Sequence, residues 1–134
     1  TSQDWADFIS KYQDATAPVA ELVYVFMGVD NGKESIVTSP NSYNNYVHLQ
    51  VSDVATYMEA LEGLMAADTR NLYMHAYQVF GTGPNGANLV IVLSANTLED
   101  LLAPTTGFEE FLQKTKDIRT PVSNEIYQTI RYWE

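Results

Sequence analysis

Two histidines, nine tyrosines and no cysteine set the chemistry open to this 134-residue chain. Histidine is the side chain whose ordinary titration lies nearest neutral pH, so His48 and His75 are the natural proton-transfer candidates. The lack of thiols removes zinc–thiolate sites, disulfides and cysteine nucleophiles together. Around both histidines the sequence has a period of two. Tyr46, His48 and Gln50 alternate with Val47, Leu49 and Val51, and Tyr73, His75 and Tyr77 follow the same rhythm. A strand turns alternate side chains to opposite faces, so each set shares one face. Tyr127, Thr129, Arg131 and Trp133 repeat the pattern near the chain end, and Tyr24 and Phe26 join them if the first strand pairs alongside. The candidate ligand-binding residues are therefore Tyr46, His48, Gln50, Tyr73, His75, Tyr77, Tyr127, Arg131 and Trp133. An aromatic face with two imidazoles, a guanidinium and several hydroxyls suits a small planar or anionic ligand. It suits a protein interface equally, because Tyr, Trp and Arg dominate binding hot spots.

Other constellations carry less. On strands separated by one neighbour, His48 and His75 stand about 10 Å apart, too far to share one metal ion whose ligands sit at about 2 Å. No metal site and no cofactor is expected. Asp53, Glu59 and Glu62 fall on or near one helix, and Glu99, Asp100, Glu109 and Glu110 on another. No calcium-loop spacing accompanies them, so they read as solvated helix surface, several near helix starts where negative charge is favoured. Gly81-Thr82-Gly83-Pro84-Asn85-Gly86 precedes a strand and lacks the Gly-Lys-Ser/Thr of a phosphate loop, so it reads as a hairpin connection. No Gly-x-Ser-x-Gly elbow marks a nucleophilic serine.

The elements that must hold these residues follow from periodicity. Trp5, Phe8, Ile9 and Tyr12 mark one face of a helix over 4–15, closed by Pro18. Residues 20–29 read as a buried strand, Asp30-Asn31-Gly32 as a hairpin turn, and residues 34–38 as a short returning strand. Residues 39–45 read as a loop and the best internal boundary. Then come a strand over 46–51 and a helix capped by Ser52 or Asp53, with Val54, Tyr57, Met58, Leu61, Leu64 and Met65 at helical spacing. Strands follow at 72–80 and 89–94. Asn96 and Glu99 resemble a capping box ahead of a helix broken at Pro104 and Gly107, which resumes through Phe108, Phe111, Leu112 and Thr115. A last strand spans 123–133. Val47, Leu49, Val51, Leu72, Met74, Leu89, Ile91, Leu93, Ile126 and Ile130 belong on the helix side of the sheet.

The head also echoes the tail. Trp5 to Lys11, Asp14, Pro18-Val19 and Tyr24 recur 103 residues later as Phe108 to Lys114, Asp117, Pro121-Val122 and Tyr127. The expected fold is α+β in a single domain, 1–134. A ferredoxin-like β-α-β-β-α-β unit (46–133) has strand order 4-1-3-2 and both helices on one face of an antiparallel sheet. An extra α-β half unit with its hairpin (4–38) precedes it. This pattern, carried by Tyr46–Val51, the helix from Val54, Leu72–Phe80, Leu89–Ser94, Phe108–Ile118 and Ile126–Trp133, resembles the dimeric α/β-barrel superfamily in topology. The resemblance implies two facing sheets and functions that range from cofactor-free monooxygenases to haem-degrading enzymes and peroxidases. The haem-degrading branch relies on His with a nearby Asn and Trp. Here Trp133 lies at the chain end, Trp5 in the head helix, and no Asn falls among the face residues named above.

Seventeen acids against seven bases give a net charge of −10, which opposes nucleic acid and anionic membranes. No apolar run approaches the roughly 20 residues of a membrane span. The chain begins at Thr1, which fits a processed, exported protein (periplasmic or extracellular) or else a trimmed cytoplasmic one. The expected function is a small-molecule-binding or self-assembling protein that uses the aromatic His/Tyr/Arg face, with homo-oligomers expected. The alternative is an oxidoreductase or monooxygenase of the barrel type, with His48 or His75 as its acid–base group and Tyr46 or Tyr77 stabilising charge. Sequence spacing assembles no acid–base pair that decides between enzyme and binder.

Overall fold

The structure, a computed structural model, describes residues 22–81 and 86–129. They form strands β1 (Leu22–Asp30), β2 (Tyr43–Val51), β3 (Tyr73–Gly81), β4 (Leu89–Ala95) and β5 (Arg119–Gln128). Helices α1 (Val54–Ala67), α2 (Leu98–Leu101) and α3 (Phe108–Thr115) lie between them. The strands build one open antiparallel sheet in the order β1-β3-β4-β2-β5, an α+β architecture. The helix expected over 4–15, most of the Gly81–Gly86 connection, Ile130, Arg131 and Trp133 lie outside the described residues.

The helix α1 starts where Asp53 caps it, accepting from the Thr56 backbone N at 3.1 Å and from Thr56 Oγ1 at 2.7 Å. Its buried side chains Tyr57, Met58, Leu61, Leu64 and Met65 recur at three- and four-residue steps and meet the sheet. Leu72 and Leu89 are fully buried beneath, and Leu61 is 1% exposed. Phe111 from α3 meets Tyr57 edge-on, ring centres 5.4 Å apart. Val47, Leu49, Val51, Met74, Ile91 and Leu93 belong to the same cluster, as the period-two reading requires. Ile126 stays 46% exposed, out on the edge strand.

Several expected boundaries move, each for a local reason. No strand forms over 34–38; Glu34–Ile36 is a single 3-10 turn. The chain is instead drawn across the start of β3, because Asn31 mimics a strand partner. Its Nδ2 donates to the Leu72 carbonyl at 2.9 Å and its Oδ1 accepts from the Met74 N at 3.1 Å. Lys33 Nζ then reaches the carbonyls of Asp68 and Arg70 at 2.9 and 2.7 Å, beyond the end of α1. The strand β2 begins at Tyr43, inside the expected loop. Thr97 rather than Asn96 caps α2, accepting from the Asp100 N at 3.1 Å. Asn96 holds the 36–39 loop, accepting from the N–H groups of Thr38 and Ser39 and donating to the Ile36 carbonyl. The final strand starts at Arg119 and runs through Pro121, which an edge strand tolerates because one side of its ladder is unpaired.

Candidate functional site

The helix-free face of the sheet gathers the expected aromatic set. A small apolar floor lies at its centre, where Val90 is fully buried and Val79 and Val92 are 5% and 4% exposed beneath Tyr46 and Tyr77. Rings form two groups above it. Tyr24 stands 6.3 Å from Tyr77, Phe26 5.6 Å from Tyr77, and Tyr46 meets Tyr127 edge-on at 5.7 Å. Gln50 shares this face but stands at its end, next to Gly86, and is exposed.

His48 is held from both sides. Its Nε2 lies 2.7 Å from Tyr24 Oη and its Nδ1 3.3 Å from Ser123 Oγ. In the sheet order, β3 and β4 separate β1 from β2, so Tyr24 and His48 lean together across three strand spacings of about 4.8 Å each. Partial burial, reinforced by Tyr46 and Glu125, raises the Tyr24 hydroxyl above the ordinary phenol range. Tyr24 thus keeps its O–H, which can donate to Nε2 or accept from it, and Nδ1 takes the complementary role toward Ser123. Ser123 owes its place to an irregularity between β2 and β5. The register passes from His48 opposite Ser123 to Leu49 opposite Pro121, leaving Val122 as an extra residue.

His75 is the more buried imidazole, 9% exposed. It stacks on Tyr73 with ring centres 4.2 Å apart, meets Tyr77 edge-on, and bonds Tyr77 Oη through Nδ1 at 2.8 Å. Burial pushes its pKa down to about 4, with Asp30 pulling only partly the other way. Asp30 arrives opposite His75 because the β1–β3 register jumps after Phe26, where Gly28 takes a left-handed φ of 74°. Burial likewise raises the hydroxyls of Tyr73 and Tyr77. The hydrogen bond to Glu125 raises Tyr127.

The structure thus brings Tyr46, His48, Tyr73, His75, Tyr77 and Tyr127 to one face, with β4 between the two histidine strands. Two functional neighbours were not legible. Ser123 depends on the bulge, and Asn44 joins the face only because β2 starts early. The expectation that no Asn lies there is corrected, since Asn44 bonds Ser94 Oγ at 2.7 Å and Thr129 Oγ1 at 3.0 Å. Chemically, the Tyr24–His48–Ser123 chain can relay a proton between hydroxyls. It is a poor nucleophilic triad, because a neutral phenol sits where a carboxylate would stabilise an imidazolium. Among the described residues no three His, Asp or Glu side chains cluster to hold a metal. No described helix is long and apolar enough to cross a membrane. Against protein-family models, curated proteins and solved structures, the chain has no match.

Proposed function

We propose that this chain is a binding module whose aromatic sheet face packs against the same face of a second copy, two ferredoxin-like sheets meeting front to front. The strand order β5-β2-β4-β3 supports the ferredoxin-like part of this reading, with β1 added beyond β3. The observation that carries the assembly reading is the state of the rings. Tyr24, Phe26 and Tyr127 remain 40%, 47% and 53% exposed around a buried valine floor. Three hydroxyls of the face are already occupied: Tyr24 bonds His48, Tyr77 bonds His75, and Tyr127 bonds Glu125. A small-molecule pocket needs convergent polar groups free to orient a ligand. Ring faces whose hydroxyls are satisfied internally offer apolar area instead, which a facing sheet buries well.

Sedimentation velocity across a concentration series tests this. Wild type should sediment as a dimer, and Phe26→Asp should weaken dimerisation by at least about 100-fold, as expected for a charge forced into a desolvated hot spot. Leu102→Asp, more exposed but beside the helices, should leave it unchanged. Because each copy carries a charge of −10, added salt should tighten the dimer. A wild-type chain that stays monomeric at every concentration ends the reading.

A further inference from the structure

A cleft of about 310 Å³ lies on the helix side of the sheet, between α3 and the β2–β5 edge. Val47 and Leu49 of β2, Phe111 and Leu112 of α3 and the bulged Val122 of β5 give it apolar walls. Its size falls at the lower bound of about 300 Å³ for small-molecule pockets. Of its polar lining residues, Ser123 bonds His48 on the opposite face, and Asn124 is exposed. Tyr57 is 3% exposed, and burial pushes its hydroxyl up to about 12, so it is neutral at ordinary pH and sets no charge beside a guest.

Arg119 is the exception. It is the only charged residue lining the cleft, although the chain carries seventeen acids and a net charge of −10. It pairs with Val51, whose burial under the helices places Arg119 on the helix side as well. Two bonds fix its guanidinium against the end of α3. Nε donates to Thr115 Oγ1 at 3.0 Å, and Nη2 donates to the Leu112 carbonyl at 3.3 Å. Thr115 is fully buried and is held in turn, donating to the Phe111 carbonyl at 2.9 Å. Capping the helix end thus occupies one edge of the guanidinium, while Nη1 bonds none of the described residues. No carboxylate among the described residues pairs with Arg119, whereas Asp68 pairs with Arg70 and Glu110 with Lys114. A half-buried, oriented guanidinium with an open edge beside apolar walls suits a planar carboxylate.

We infer that this cleft binds a compact aromatic monocarboxylate, with its ring among Phe111, Leu112 and the β2 side chains and its carboxylate on the Arg119 guanidinium. Phe108, Phe111 and Tyr57 line the cleft with rings, which favours an aromatic body. One cation matches one negative charge, and a chain of charge −10 disfavours a dianion such as a phosphate monoester. Apolar walls supply affinity, Arg119 supplies selectivity, and Thr115 is a positioning residue that holds the guanidinium ready. The site lies across the sheet from the aromatic face and does not depend on how that face is used.

Cinnamate and its neutral counterpart cinnamamide, titrated into the intact ¹⁵N-labelled protein, test this. Cinnamate should shift the amide signals of Val47, Leu49, Leu112 and Val122 saturably and bind at least about tenfold tighter than cinnamamide. Arg119→Gln should erase that preference while leaving the affinity for cinnamamide unchanged. Thr115→Val should narrow the preference, which a purely structural role of Thr115 would not do. Should Arg119→Gln fail to fold, wild type still decides, because the Arg119 Nε–H signal should move with cinnamate and stay in place with cinnamamide. The inference is overturned if cinnamate gives no saturable shift, if the two probes bind equally, if the preference survives Arg119→Gln, or if the Arg119 signal ignores cinnamate.

Discussion

On the aromatic face, Tyr24, Tyr77 and Tyr127 each end in a hydrogen bond to a neighbour while their rings stay partly in solvent. On the helix face, Leu61, Leu72 and Leu89 close an apolar core, and Asn45 Oδ1 is left without a partner. One sheet therefore spends its polar groups in two ways. The outer face fixes rings in place by pairing them and leaves apolar area to cover. The inner face gains stability from burial and tolerates one unsatisfied acceptor, Asn45 Oδ1.

Three measurements can break or sharpen that contrast. The largest effect is expected at the edge of the inner face, from Arg70→Ala. It strands the buried Asp68 carboxylate, which burial alone would push up and which Arg70 and Lys33 hold below the usual aspartate range. The loss should be about 3–5 kcal/mol in urea unfolding, and a loss under 1 kcal/mol would mean the pair is solvated. Next comes acid titration of the outer face. His75 has its pKa lowered to about 4, against about 6.5 when unfolded. Its contribution is complete above pH 6.5 and fades as pH falls toward 4, a loss of roughly 3 kcal/mol over that window. Asp68, also lowered, gives up its contribution only below the ordinary aspartate range, so the outer face should weaken first on acidification. His75→Phe should flatten the stability curve between pH 6.5 and 4, and an unchanged slope would remove His75 as its cause. The smallest effect is Tyr24→Phe, which deletes one partly exposed hydrogen bond and should cost about 0.5–1 kcal/mol in thermal unfolding. A neutral outcome would reduce the Tyr24–His48 contact to proximity.

The two faces also differ in how far sequence could reveal them. Period-two alternation around His48 and His75 was enough to sort the sides of β2 and β3, because a strand leaves its side chains no third direction. Helical spacing and Asp53 located α1 for the same kind of reason. Register was beyond that reach. Ser123 meets His48, and Asp30 meets His75, only through irregular pairings at Val122 and Gly28, which add residues without changing the apolar pattern. Asn31, Lys33 and Asn96 look like ordinary turn residues in the sequence. Their bonds to Leu72, Asp68 and Ile36 are long-range facts that no local propensity encodes. Asn45 falls in a run of turn-type residues, so local sequence points to loop. Its place in β2 follows from pairing with Leu93 and Ile126 on either side.

The ends of the sheet carry one more consequence. Among the described residues, β1 and β5 are its outer strands, and each is interrupted, by the left-handed Gly28 in one and by Pro121 with its bulge in the other. Interrupted borders resist lateral strand addition. Such borders favour the proposed face-to-face pairing over side-by-side growth. A pair stacked on a two-fold axis, as proposed, would use up its own surface once two molecules had met, whereas an unbroken border would invite a fibre.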